Sequence, residues 1–263
     1  MAASPLQFTF LGTGTSQGVP VIGCQCEVCT SEDPRDQRLR TAGLLSLGNT
    51  NVCIDAGPDF RQQMLRAGVS HLEAILITHE HNDHVVGLDD VRPFNFMARR
   101  DMPIYATPAV QSEIRSRFAY AFDEEPYPGA PRLRLENLDK DVPLTIGELH
   151  IQPIEVIHGA MPVLGFRVGK FAYITDMKTI REEEFQKLAG IEILVVNALH
   201  HAPHYSHLNL EEALEFIQRV QPQQSYLIHC SHRMGKFEDV NPALPQGVQL
   251  AWDGLTISVP AGG

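Results

Sequence analysis

Within the run Thr78-His79-Glu80-His81-Asn82-Asp83-His84, three imidazoles and a carboxylate fall in six consecutive positions. No regular helix or strand can turn all four toward one ion. A loop can divide them between two, with His79 and His81 to one ion and Asp83 and His84 to the other. Imidazole and carboxylate together suit Zn, Mn or Fe. Three more polar residues directly follow apolar runs: His158 after Ile154–Ile157, Asp176 after Ala172–Thr175, and His229 after Tyr226–Ile228. Taken singly, each reads equally well as a cap or a satisfied polar residue, and the first run as a helix N-terminus capped by Asp83. Their recurrence at strand ends, where α/β folds collect functional groups, favours ligation. Together they make a seven-ligand set for a dinuclear hydrolase, with Asp83 a candidate for both ligation and catalysis.

A second cluster is Cys24-Gln25-Cys26-Glu27-Val28-Cys29, flanked by Gly and Pro. Three thiolates at this spacing can occupy three corners of a tetrahedral structural zinc. The fourth ligand is His232 or Cys230, both just beyond His229. Strand alternation turns Cys230 away from the side that His229 faces and so favours His232. Cys53 lies in an apolar strand and reads as core. Asp59, in Asp55-Ala56-Gly57-Pro58-Asp59, reads equally as the carboxylate that orients a ligating histidine or as the N-cap of the following helix. His200, His201, His204, His71 and His150 read as surface residues.

The elements that must position these groups are legible as periodicity. Gln7–Leu11, Leu44–Leu47 and Val52–Asp55 read as strands, the last two joined across Gly-Asn-Thr-Asn as a hairpin. Phe60–Ala67 has helical spacing and stops at Gly68. Ala74–Thr78 is a short apolar run suited to a strand covered on both faces, and Val85-Val86-Gly87 opens a helix after the histidine run. Ile104–Ala106 is a strand and Ala109–Tyr120 a helix; Asp123–Pro131 is a loop. The second half repeats this order. Leu149–Ile157 and Gly165–Ile174 are strands, the latter broken at Gly169-Lys170. Arg181–Leu188 is a helix, and Glu192–Asn197 a strand. Leu210–Val220 is a helix opened by Asn209 and Glu212 as a capping box. Tyr226–His229 is a strand, and Val248–Val259 a closing hairpin through Asp253-Gly254. Such a mixture predicts α/β architecture, with sheets packed face to face and helices outside.

At 263 residues, 43% hydrophobic and 20% charged, the chain has ordinary globular composition. It can bury about three quarters of its extended surface and needs no disulfide staples. The formal net charge of −11 disfavours long nucleic acids and anionic lipid surfaces. No apolar run reaches the ~20 residues of a membrane span. Met1–Pro5 shows no leader pattern, so a cytoplasmic setting is expected. Five cysteines, three of them clustered, fit metal binding in a reducing compartment better than disulfides.

The set His79, His81, Asp83, His84, His158, Asp176 and His229 resembles the HxHxDH motif, later His, bridging Asp and last His of metallo-β-lactamase-fold hydrolases. The likeness runs from Leu11-Gly12-Thr13-Gly14-Thr15-Ser16 to the end of the chain. It implies one domain over residues 1–263, built as a four-layer αβ/βα sandwich of two mixed sheets, with two divalent metals (Zn or Mn) at one edge. LGTGTSxGxP followed by CxCxxC is similar to the subgroup containing the phosphoribosyl cyclic phosphodiesterase of phosphonate breakdown. That resemblance implies His232 as fourth ligand of one structural zinc. It also implies His207, 22 residues before His229, as a general acid on the leaving oxygen. The expected activity is hydrolysis of small cyclic or activated phosphodiesters by a water activated between the ions. The alternatives are a tRNA 3′-processing endonuclease, for which no basic surface or long arm is visible, a thioesterase or lactamase, and a non-catalytic metal-binding or carrier protein of cofactor biosynthesis. A small-molecule substrate is the expected partner, with no long nucleic acid and no membrane, and a homodimer is left open. Residues between Arg92 and Asp101 are candidates for lining the substrate pocket.

Overall fold

The computed structural model describes residues 5–125 and 127–259. The leader reading of Met1–Pro5 falls outside them apart from Pro5, and so does Pro126 of the Asp123–Pro131 loop. Strands β1 (Leu6–Gly12), β2 (Ala42–Leu47), β3 (Thr50–Ile54), β4 (Ala74–Leu76), β5 (Met102–Ala106) and β6 (Leu133–Asn137) form the first sheet. The second holds β7 (Leu144–Ile146), β8 (Leu149–His158), β9 (Met161–Val168), β10 (Phe171–Tyr173), β11 (Ile193–Asn197), β12 (Gln224–Ile228) and β13 (Val248–Leu250). The last strand, β14 (Thr256–Val259), returns to pair antiparallel with β1. Each sheet is mixed: antiparallel pairs run through β14-β1-β2-β3 and β7-β8-β9-β10, then parallel pairs through β3-β4-β5-β6 and β10-β11-β12-β13.

Helices α1 (Phe60–Arg66), α2 (Asn82–Val85), α3 (Arg92–Ala98) and α4 (Pro108–Arg117) lie with the first half. Helices α5 (Glu182–Phe185), α6 (Leu210–Val220) and α7 (Phe237–Val240) lie with the second. Three buried clusters define four layers. One joins the facing sheets through Phe8, Phe10, Ile54 and Leu76 against Phe166, Phe171, Tyr173 and Val195. A second packs the first sheet on its helices through Phe60, Met64, Phe94, Val110 and Ile114. The third packs the second sheet on its own helices through Leu188, Ala213, Phe216 and Phe237. The expected αβ/βα sandwich is therefore present. Phe8 ties the sheets together, with its ring 4.7 Å from Phe171 and 5.5 Å from Tyr173; such aromatic pairs add ~0.5–1.5 kcal/mol beyond burial.

β4 and β11 are buried along their whole length, which is why they read as continuous apolar runs rather than as alternation. The hairpin between β2 and β3 turns at Gly48, whose φ of 56° suits glycine. Three expectations need correction. Val248–Val259 is not a hairpin: β13 pairs parallel to β12 in the second sheet, while β14 crosses to the first. Asp253 and Gly254 turn the chain between layers, and Asp253 accepts from Thr13 Oγ1 at 2.8 Å and from Leu39 N at 2.7 Å. Gly169-Lys170 is the turn of a hairpin between β9 and β10, not a break within one strand. The helix after β4 starts at Asn82, inside the histidine run, and not at Val85. Among the described residues, no helix is long and apolar enough to cross a membrane.

Candidate metal centre

The candidate donors stand where strands end. β4 is fixed by burial on both faces and delivers Thr78 and His79. His81 is the N-cap residue of α2, and Asp83 and His84 lie in its single turn. The backbone of the Asp55–Asp59 turn clamps that helix: Ala56 N donates to His84 O and Gly87 N to Ala56 O, both at 2.8 Å. Contact this close demands Gly57, because a Cβ there would sit 1.9 Å from the Asp83 carbonyl oxygen. His158 is the last residue of β8. Asp176 lies three residues beyond β10 and His229 one beyond β12, with φ of 55° and 58°. Asp55, one beyond β3, has φ of 65°. Left-handed backbone at a non-glycine residue costs about 1–3 kcal/mol and persists where the surrounding structure imposes it. Three such residues at three strand ends aim one site.

The other six donor side chains gather around Asp176. His79 Nε2 faces His81 Nδ1 at 3.0 Å. The His79 ring centroid lies 4.2 Å from that of His84 and 5.9 Å from that of His158, and His81 lies 5.3 Å from His158. His84 Nε2 is 3.2 Å from Asp83 and 3.5 Å from Asp176; His229 Nδ1 is 3.4 Å from Asp176. Two donor triads, His79–His84–Asp176 and His158–Asp176–His207, each bring their atoms within 4.8 Å of one another and share Asp176.

Contacts behind the donors fix their rings. His84 Nδ1–H donates to Asp55 at 2.7 Å, His158 Nδ1–H donates to Ser206 O at 2.8 Å, and His79 Nδ1–H donates to Thr78 Oγ1 at 2.9 Å. Each leaves Nε2 toward the centre, the arrangement metal-ligating histidines adopt. His84 Nε2 and His229 Nδ1 are buried with no hydrogen-bond partner, and an unpaired buried polar atom costs about 1–3 kcal/mol. Inward-facing nitrogens around a shared carboxylate therefore fit divalent cations.

The carboxylates govern the charge of the site. Burial opposes ionisation of Asp176, but His229, His84 and His79 outweigh it and hold its carboxyl well below the usual range. Asp83 is also held low: burial opposes, and His84 and His229 prevail. Burial lowers His79, His81 and His229, which keeps their imidazoles neutral as ligation requires. His84 goes the other way, because Asp55, Asp176 and Asp83 together overcome its burial.

His207 lies beside the seven, on the loop leading into α6. Its ring is 4.4 Å from His158 and 4.8 Å from His229, and its buried Nδ1 is 3.7 Å from Asp176. Burial and then His229 push it down to about 2.

Asp59 does not reach a histidine. It accepts from Arg40 N at 2.8 Å and pairs with the Arg40 guanidinium at 3.2 Å, and it makes no side-chain cap bond to α1. The carboxylate that orients His84 is Asp55, which also accepts from Thr78 N at 2.9 Å and Thr78 Oγ1 at 3.0 Å. Its signal lay in the same DAGPD turn, as a polar residue directly after an apolar strand. His204 is half-buried, with its ring 5.1 Å from that of His207. His200 is buried rather than exposed, and His201 bonds Met234 O at 2.8 Å. His71 and His150 are exposed, as expected. Helix α3 lines two grooves on the outer side of the first sheet, and none of the seven donors lines either.

At the second cluster, the sulfurs of Cys24, Cys26 and Cys29 lie 3.3, 3.4 and 3.5 Å from His232 Nδ1. All three are free thiols. A backbone hydrogen bond from Cys29 and then His232 lower Cys26 to about 6, while burial raises Cys29 to about 11. Four donors grouped in this way fit a closed tetrahedral ion. Cys230 stays in the core under the second sheet, as does Cys53 under the first. The segment 11–16, upstream of the cysteine cluster, is tied to the segment after His229 by Cys230 N to Thr13 O at 3.0 Å and Thr15 N to Cys230 O at 3.2 Å.

Comparison with known proteins accords with this geometry. The model of the family described as beta-lactamase superfamily domain matches residues 50–230. An octanoyltransferase of Porphyromonas gingivalis is 41% identical over 247 residues, covering 93% of this chain and 50% of that protein, so the chain spans about half the length of this relative. The crystal structure of a new diphosphatase from the PhnP family superposes with a TM-score of 0.91 at 36% identity, covering 98% of both chains. Zn(2+)-bound PqqB from Methylobacterium extorquens shares the fold at a TM-score of 0.79 and 17% identity, covering 96% of this chain and 100% of that one. With the family match spanning more than half its length, the chain belongs to the metallo-β-lactamase superfamily of metal hydrolases.

Proposed function

We propose that this protein hydrolyses small cyclic or activated phosphodiesters at a dinuclear metal centre. Its ligands are His79, His81 and His158 on one side and Asp83, His84 and His229 on the other, with Asp176 shared. Zn or Mn suits this donor set. A divalent pair bound there supplies Lewis acidity and a lowered pKa for the attacking water. In the same reading a structural zinc sits on Cys24, Cys26, Cys29 and His232, and its thiolates suit a reducing, cytoplasmic setting.

The observation that carries the reading is His207, an extra imidazole 4.4 Å from His158 and 4.8 Å from His229. A phosphodiester brings negative charge against it, and an adjacent opposite charge favours the protonated form. His207 then holds a proton at the departing oxygen, a contribution worth ~10²–10⁴ in rate. Asp55 keeps His84 oriented, and Ser206 O does the same for His158. The net charge of −11 favours a small substrate over tRNA. The resemblance to a PhnP-family diphosphatase over 98% of both chains supports chemistry at phosphorus.

The octanoyltransferase name belongs to a protein twice as long as the matched region, and an acylated thiol is the second substrate class to test. Metal-replete protein should turn over bis(p-nitrophenyl) phosphate, a cyclic nucleotide, a ribosyl cyclic phosphate or a diphosphate diester. It should leave an octanoyl thioester and a β-lactam intact. Preferential turnover of the thioester, or efficient cleavage of pre-tRNA with poor cleavage of small diesters, overturns the proposal.

A further inference from the structure

The loop between β11 and α6 carries more than the proposed acid. Tyr205 is 82% exposed. Its ring packs on His204 at 4.8 Å and 34°, His204 lies 5.1 Å from His207 at 38°, and His207 lies 4.8 Å from His229 at 24°. Four rings thus run from a metal donor out to solvent. The second is held in place, because Ser206 N and Oγ both reach His204 Nδ1 at 3.3 Å. Tyr205 also borders the other side of the centre. A Cβ on Gly159, the residue after His158, would lie 3.8 Å from the Tyr205 ring. A lone exposed tyrosine needs no explanation. One packed on a held imidazole, two ring contacts from the proposed acid and beside Gly159, leaves an exposed aromatic ring next to the centre.

We propose that Tyr205, seated on His204, is a stacking platform for a nucleobase, so that the natural substrate is a nucleoside-type phosphodiester rather than a base-free sugar phosphate. The inference rests on the phosphodiesterase reading. It assigns Tyr205 a role in specificity rather than in bond cleavage. Aromatic rings take any base by its π-face, and one stacked base suffices. A long polynucleotide is not required, and the acidic surface disfavours one.

The test compares AMP with ribose 5-phosphate by calorimetric titration of metal-replete wild type, Tyr205→Ala and Tyr205→Phe. Wild type should bind AMP ~5- to 100-fold tighter than ribose 5-phosphate, the range that base stacking covers. Tyr205→Ala should erase that difference, and Tyr205→Phe should keep it. In turnover, Tyr205→Ala should raise KM for a nucleoside 2′,3′-cyclic phosphate by the same factor, with kcat unchanged and a base-free ribosyl cyclic phosphate unaffected. Equal or undetectable binding of both ligands to wild type overturns the proposal, as does an equal loss for both in Tyr205→Ala. Base discrimination that disappears in Tyr205→Ala, in a protein that cleaves no diester, would sink the hydrolytic reading and leave the platform standing. Diester cleavage indifferent to the base would do the reverse.

Discussion

Replacing Asp55 with asparagine isolates one buried carboxylate. Asp55 is fully buried and accepts three hydrogen bonds, from His84 Nδ1 at 2.7 Å, Thr78 N at 2.9 Å and Thr78 Oγ1 at 3.0 Å. A carboxylate offers about four acceptor sites, whereas an amide offers two on its oxygen and turns donors outward elsewhere. At least one of the three donors therefore faces an N–H. Asparagine tolerates the φ of 65° as aspartate does, so the turn itself survives. Losing a charge-assisted hydrogen bond to His84 costs about 1.5–3 kcal/mol, or about one to two decades in a binding constant. Metal affinity on the His84 side should fall ~10- to 100-fold. Chelator-buffered metal titration reads this directly, with activity recovering at excess metal and the Cys24–His232 site keeping its ion. Asp59→Asn is the control, because Asp59 pairs with Arg40 and should leave occupancy within about threefold. Occupancy and activity of Asp55→Asn within about threefold of wild type would refute the claim that this carboxylate holds His84.

His207→Ala should slow a ribose-type leaving group by about 10²-fold or more and spare p-nitrophenolate, at unchanged metal content; an equal loss on both leaving groups excludes the acid role. Cys29→Ser should remove about one metal per chain and lower the thermal midpoint far more than it lowers turnover by the folded fraction, because a closed site contributes folding free energy. Elemental analysis with a melting curve checks both halves of that statement. Glu212 closes the capping box of α6 and pairs with Lys178 Nζ at 2.6 Å. Burial opposes its ionisation, but Lys178 and Asn209 N–H prevail and hold it below the usual value. A lowered folded pKa stabilises above the unfolded value near ~4.3 and ceases to do so as pH falls through the folded one. Glu212→Gln should therefore cost no more than ~1 kcal/mol at pH 7, and progressively less as pH falls through the lowered folded value, measured by denaturant midpoints.

The donors were legible because the histidine run, His158, Asp176 and His229 each follow a short apolar run in the sequence, a pattern that survives without contacts. The layers were legible because buried parallel strands read as continuous apolar runs. The crossover from β13 to β14 was not: Asp253-Gly254 carries an ordinary turn signal, and local sequence cannot say whether the flanking strands pair with each other or, as β14 does with β1, with a strand more than 200 residues away. Asp55 and Asp59 bracket one five-residue turn and differ only in direction, which the φ of Asp55 decides. His204 reads as surface because its neighbours are polar, and its place in the ring series depends on how the loop folds back over β8. Gly57 and Gly87 carry no chemistry, yet their missing side chains allow the backbone contact that seats Asp83 and His84.

Anomalous diffraction from crystals of freshly purified, unstripped protein, collected at the zinc and manganese edges, tests the central claim most directly. The account predicts two neighbouring peaks flanking Asp176, one within bonding distance of His79, His81 and His158 and the other of Asp83, His84 and His229. A third, isolated peak should lie among Cys24, Cys26, Cys29 and His232. Absence of density beside Asp176 in metal-replete, active crystals would contradict it, as would a single ion there bound directly by His207.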